Sequence, residues 1–359
     1  MAESSIVVRP EPTDSGSYSA ASRLQAAGLA PAIAVFEKAA GEVPIPKPPQ
    51  PIVIADYGAS NGLNSLLPIG AAIAVLRKRT RPEHSVLVVH TDRPDNDFCE
   101  MFNNLENDPD AYLRKDRATY ASAVGRSFYS QILPSNSVNL GWSSWAIHWL
   151  SRVPCGIEDH IQVNQCSDEK VRSAFAKQAA HDWHEFVAFR GRELCPGGRL
   201  VVMTMAISDD GEFGYWPLLA AIVDTLAQLV GCGLVTDSEV AAMCIPTVGR
   251  RAADFAAPFA PSGRFEQLTI DHVEVFDGDD RFWNRYRIDG DAKAFGGKWA
   301  DFARVAVFPA LLSALEDDAS SRATELLDRL EAGVAERLAA APEQMQIPLA
   351  LVVLAKGPK

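Results

Sequence analysis

Residues Ile52–Asn64 read IVIADYGASNGLN. An apolar run, Ile52-Val53-Ile54-Ala55, ends in an acid, Asp56; Gly58 and Gly62 follow with small residues between them, and a helical pattern begins beyond. This is how a buried parallel strand hands over to a helix in a nucleotide-binding α/β domain. The glycines let the backbone turn tightly and come close to a ligand. The spacing is G-x-x-x-G, so it lacks the G-x-G-x-x-G of dinucleotide folds and the Gly-Lys-Ser/Thr ending of a P-loop. Taken alone, the stretch also fits a strand–helix turn that binds nothing.

Downstream, Leu66, Ile69, Ile73 and Leu76 recur at helical spacing, with Pro68 in the first turns and the basic run Arg77-Lys78-Arg79 at the end. Strand two is SVLVVHTD (85–92), ending in Asp92. An acid at that point is where a ribose hydroxyl pair is held in such folds; a strand-end cap is the competing reading. Upstream, residues 1–16 are polar and proline-containing and are expected to form a mobile tail. Residues 17–40 have helical character with Pro31 as a kink or break, and would place Ser22 and Gln25 on neighbouring positions of one face. The segment 41–51, with five prolines, is a stiff connector.

Further along, 94–118 is charged and reads as helical. The segment 124–154 concentrates Phe128, Tyr129, Trp142, Trp145 and Trp149 among serines. If SVNLGWSS is the next core strand, Trp145, His148 and Trp149 lie just beyond its C-terminal end, where open α/β sheets bind ligands; tryptophans at this spacing also suit a core. An amphipathic helix covers 168–193, and its His181-x-x-His184 reads as solvated surface, because a third metal ligand at a suitable spacing is missing. Pro196-Gly197-Gly198 turns into the buried strand 200–207. The segment 208–264 reads as an insertion capping the sheet, with a helix near 216–230 and a capping box at Thr236-x-x-Glu239. A strand at 265–276, helices at 297–316 and 320–340 and an interior strand at 347–357 complete the chain, with Leu326, Leu330, Val334 and Leu338 on one helical face.

The chain has 359 residues, 47% hydrophobic and 22% charged, as in an ordinary water-soluble globular protein. A net charge of −12 argues against a general nucleic-acid surface, although a pocket can differ from the average field. Six scattered cysteines without C-x-x-C fit reduced thiols in a cytoplasmic protein. No signal peptide and no transmembrane stretch is read, so no membrane partner is expected.

In this order of motifs the sequence resembles the SABATH methyltransferases, which use S-adenosylmethionine (SAM) to methylate small carboxylic acids and, in some members, ring nitrogens. The resemblance is carried by SYSAASRLQ (17–25), IADYGASNGLN (54–64), TDRPDNDF (91–98), SFYSQILPSNSVNLGWSSWAIHWLSRVP (127–154), LCPGGRLVV (194–202) and YWPLLAAIVDTLAQLVGCGLV (215–235), and spans most of 17–310. It implies an α/β fold: a Rossmann-like methyltransferase core, mostly parallel with the last strand antiparallel, under a helical cap. The core would comprise 17–207 and 265–359, including an N-terminal active-site helix. The cap would be 208–264, with further cap helices within 280–320. By resemblance, Asp56, Gly58 and Asn64 meet the methionine end of SAM, Ser22 its carboxylate, Asp92 with the adjacent Arg93 the ribose, and Ser127 and Phe128 the adenine. Gln25 and Trp149 match the pair that holds the substrate carboxylate, and Trp145, His148 and Trp216 match residues lining the substrate pocket. Arg93 stands where the family has leucine, Asp95 and Asn61 where it has glycine and serine, Leu63 where it has proline, and Trp145 where it has tyrosine. A homodimer is also implied by resemblance, and no metal is.

These residue types suit the chemistry. A carboxylate is ionised at neutral pH and needs no general base. The protein has to desolvate it and aim one oxygen, and neutral donors such as a Gln amide and a Trp indole can do so. A Lys or Arg partner would hold the ground state too tightly. The expected reaction is methyl transfer to a small aromatic or fatty acid, giving a methyl ester and S-adenosylhomocysteine. Its rivals are N-methylation of a heterocycle, which would require ring-recognising polar groups, a nicotinamide oxidoreductase, disfavoured by the missing glycine pattern, and a SAM-binding module without catalysis.

Overall fold

The computed structural model describes residues 29–315 and 321–358. The expected tail 1–16 and the first half of the expected helical stretch 17–40, with Ser22 and Gln25, lie outside the described residues. The described chain opens with helix α1 (Ala30–Glu42), which has Pro31 in its first turn, where a missing N–H costs nothing.

The apolar run at 52 forms strand β1 (Ile52–Tyr57), and the glycine turn leads into helix α2 (Leu63–Arg77). Strand β2 (Val86–Asp92) pairs in parallel with β1, setting Asp56 opposite His90. Helices α3 (Phe98–Asn107) and α4 (Tyr112–Lys115) replace the single charged helix expected over 94–118; the chain breaks between them at Asp108-Pro109. Strand β3 (Thr119–Gly125) was not anticipated. It is an edge strand built largely of small residues, and Tyr120 is exposed, so its sequence carries little apolar signal.

Strand β4 (Val138–Ser144) is buried along its whole length. It is followed by helix α5 (Glu169–Glu193) and strand β5 (Leu194–Met205). Pro196-Gly197-Gly198 lies inside β5, as a bulge in its pairing with β4, instead of preceding the strand. Strands β6 (Leu268–Asp277) and β7 (Pro348–Lys356) complete a seven-stranded sheet of order β3-β2-β1-β4-β5-β7-β6, in which β7 runs antiparallel to both neighbours. The strand order reverses between β1 and β4, and the crevice beyond their C-terminal ends is the expected ligand position.

One face of the sheet packs Phe36, Ile69, Ile73 and Trp142 together; the other packs Trp183, Phe186, Val187 and Val202. A third cluster joins helix α6 (Trp216–Gly231) to α10 (Ala292–Ala306) and α12 (Ser321–Ala340) through Leu218, Ile222, Trp299, Leu326, Leu330 and Val334. Between β5 and β6, α7 (Asp237–Ala242) has the expected capping box, and α8 (Ala252–Ala256) follows. Where one helix was expected over 297–316, α10 and α11 (Phe308–Leu312) occur instead, the chain breaking at Val307, two residues before Pro309; α9 (Arg281–Asp289) precedes them, within the stretch 280–320 where further helices were expected. No described helix is long and apolar enough to cross a membrane.

Candidate active site

The glycine turn is tied to the end of β2: the N–H groups of Gly58 and Ala59 both donate to the carbonyl of Thr91, at 2.9 and 3.0 Å. Gly58 has φ +86°, and Ser60 and Gly62 are also left-handed. A Cβ on Gly58 would lie 2.4 Å from Cβ of Ala146 and 3.4 Å from the ring of Phe128. The turn after β1, the residues after β4 and the loop after β3 therefore meet at one point, and only glycine fits there. Asn64 lies in the first turn of α2.

Asp92 closes the side of this turn. One carboxylate oxygen accepts from the N–H of Ser60 and the other from that of Arg93, each at 2.7 Å. A carboxylate offers about four lone-pair sites, so acceptor capacity remains for a pair of ligand hydroxyls. Burial pushes the Asp92 pKa up against these two backbone bonds. The Arg93 guanidinium pairs with Asp95 at 3.2 Å. Asp56 differs from its neighbours: its carboxylate is 1% exposed and one oxygen lies 2.7 Å from Nδ1 of His90, whose Nε2 lies 2.6 Å from the Tyr112 hydroxyl. Asp56 thus faces a buried polar chain beneath the turn. Taken together, the tight glycine turn, the acid with spare acceptor sites and the aromatic Phe128 beside Gly58 fit a nucleoside ligand.

On the other side of the crevice, Trp145 adopts φ +55°, a strained backbone for a bulky residue, and its N–H donates to the carbonyl of Met203 at 3.0 Å. Its ring packs against both the cap cluster and the sheet cluster, and its indole N–H is buried without a partner among the described residues. His148 is buried, with Nδ1 3.3 Å from the Thr204 hydroxyl. Burial, helped by the nearby Arg250 charge, holds its pKa down to about 3, so it stays neutral at physiological pH. Trp149 is half-buried, and its carbonyl accepts a 2.6 Å hydrogen bond from the Tyr129 hydroxyl. Trp216 begins α6 and is 52% exposed.

Several residues that shape the site were not singled out from the sequence. Arg250 is buried and donates to the carbonyls of Ile147 and Ala179, bracing the segment that carries Trp149. Arg190 and Glu193 grip the loop that carries Ser127 and Phe128. Two signals were available: a charged i, i+3 pair among the buried positions of α5, and a histidine in the otherwise apolar run VLVVH.

A family model described as SAM dependent carboxyl methyltransferase matches residues 7–356. The chain is 30% identical over 258 residues to a salicylate carboxymethyltransferase of Clarkia breweri, covering 67% of each chain. It is 28% identical over 288 residues to a probable jasmonic acid carboxyl methyltransferase of Theobroma cacao, covering 73% of this chain and 75% of that one. Among solved structures, a loganic acid methyltransferase with S-adenosylhomocysteine (SAH) superposes with a TM-score of 0.77 at 22% identity, over 97% of this chain and 98% of that chain.

Proposed function

The chain belongs to the SAM dependent carboxyl methyltransferase family, and from that premise we propose that it esterifies a small aromatic or fatty acid held by Gln25 and Trp149. That it is an enzyme using SAM to methylate the carboxylate of a small acid follows from the family; the acid and the residue roles are the proposal. The observation that carries it is the convergence of Gly58, Asp92 and Phe128 with Trp149 at the C-terminal edge of β1, β2 and β4, with Tyr129 bonded to the Trp149 carbonyl.

When bound, SAM supplies an electrophilic methyl carbon. In this reading the turn at Gly58, with Asn64, lies along its amino-acid end, and Ser22 meets its carboxylate. Asp92, with Arg93 beside it, accepts from the ribose hydroxyls, and Ser127 and Phe128 lie along the adenine. The acid enters as a carboxylate and needs no base. His148, neutral and turned to Thr204, fits a wall and not a base. The Trp149 indole and Gln25 amide donate to the carboxylate and aim one oxygen, and Trp145 and Trp216 provide apolar walls. The segment 208–264 and the helices between β6 and β7 close over the acid and exclude water. The resemblance extends the reading to a cytoplasmic homodimer.

The test is transfer of labelled methyl from SAM to benzoates, indole acids and alkyl acids of increasing length, with a xanthine as control. The product is assayed as a base-labile methyl ester. Ester on one class supports the reading and identifies the substrate class. Methyl transfer to the xanthine alone overturns it.

A further inference from the structure

Arg190 and Glu193 are both completely buried, one helical turn apart at the end of α5. The Arg190 guanidinium donates to the carbonyls of Phe128 (2.8 Å) and Ser130 (2.9 Å) and to one oxygen of Glu193 (2.9 Å). That same oxygen accepts from the N–H groups of Ile132 (2.6 Å) and Leu133 (3.0 Å). The other carboxylate oxygen accepts from the Tyr57 hydroxyl at 2.7 Å, and the guanidinium lies 4.3 Å over the Tyr57 ring. The pair therefore satisfies four backbone groups along 128–133 and ties them to the residue immediately before Gly58.

This arrangement does more than stabilise the core. A buried ion pair contributes little compared with apolar side chains of similar size. The guanidinium is also turned so that both terminal nitrogens reach the loop, which leaves its Nε buried without a partner among the described residues. The loop's own backbone bonds are few, Ser130 N–H to Ser127 carbonyl among them, and the Phe128 ring meets Phe186 edge-on at 5.8 Å. The position of Phe128 against Gly58 is thus set by the buried pair beneath it.

We propose that Arg190 and Glu193, with Tyr57, are positioning residues for the cofactor, fixing the loop 127–133 as the wall of the adenine pocket; the proposal rests on the reading of Ser127 and Phe128 given above. Arg190→Lys keeps the charge beside Glu193 but loses the planar fork that spans two carbonyls. Tyr57→Phe removes one hydroxyl and leaves every charge in place.

The experiment measures Kd for SAM, SAH and adenosine by calorimetry, and KM for SAM and for the acid, on wild type and both variants. Arg190→Lys is expected to raise all three Kd values and the SAM KM by about tenfold, and Tyr57→Phe by about threefold. Through the Tyr129–Trp149 bond, kcat/KM for the acid should fall in Arg190→Lys by less than SAM affinity does, at most about fivefold, and in Tyr57→Phe the acid KM and kcat should stay within about twofold. A folded variant set with unchanged adenosine and SAM affinity overturns the proposal. So does a parallel loss in both KM values and kcat, which marks a general structural role. If Arg190→Lys does not fold, Tyr57→Phe decides. If wild-type protein binds SAM but not adenosine, the adenine-wall reading itself fails, and the positioning role falls with it.

Discussion

The Tyr129 hydroxyl donates to the carbonyl oxygen of Trp149 over 2.6 Å. Tyr129 follows Phe128 in the loop after β3, and Trp149 lies beyond the end of β4. One hydrogen bond therefore joins the proposed adenine wall to the proposed carboxylate donor. Tyr129→Phe should lower kcat/KM for the acid about fivefold, the worth of one neutral hydrogen bond, with a smaller effect on SAM affinity. Steady-state kinetics with each substrate varied in turn checks it; an effect confined to SAM would break the link.

Trp149→Phe keeps an aromatic ring and removes the indole N–H. If that group holds the carboxylate, kcat/KM for the acid falls about tenfold or more while SAM binding by calorimetry is preserved. Unchanged activity across the acid panel would remove Trp149 from this role.

Gly58→Ala places a methyl group 2.4 Å from Cβ of Ala146 at a φ of +86°. Strain and overpacking together should destabilise the protein by about 1–3 kcal/mol and abolish measurable SAM binding. Thermal denaturation and calorimetry on the purified variant test the two effects separately.

Asp92→Asn turns an acceptor-only group into one that also donates. Loss of charge-assisted bonds to the ribose should raise the SAM Kd by about 10–100-fold and leave the acid KM near its original value. Equal loss on both substrates would mean that Asp92 only caps the turn through Ser60 and Arg93.

His148 carries a pH signature. Its folded pKa is held down to about 3 by burial, against roughly 6.5 when exposed. The unfolded chain therefore binds the extra proton between these values. The stability His148 contributes as a neutral group is fully present above about pH 6.5 and is lost as pH falls, at up to ~1.4 kcal/mol per pH unit. Denaturant unfolding between about pH 5 and 6.5 should show this slope in wild type and a flatter one in His148→Gln.

The sequence by itself determined the hand-over from strand to helix at 52–64, the acid at the end of β2, the strand at 138–144, the long helix before β5 and the apolar final strand. These rest on local signals: uninterrupted apolar runs, glycine where φ must be positive, and helical periodicity. It also carried the family, because the motifs fall in order along the chain. Edge strand β3 was hidden, since half-exposed small residues leave no periodic pattern, and the helices at 281–312 were blurred by breaks that only packing locates. Tertiary structure alone decided where the buried charges go. Asp56 turns to His90, Arg190 and Glu193 turn to the loop at 128–133, and Tyr129 reaches Trp149. Buried polar groups must find partners, and those partners lie 20 to 62 residues away along the chain, a distance that local patterning cannot see.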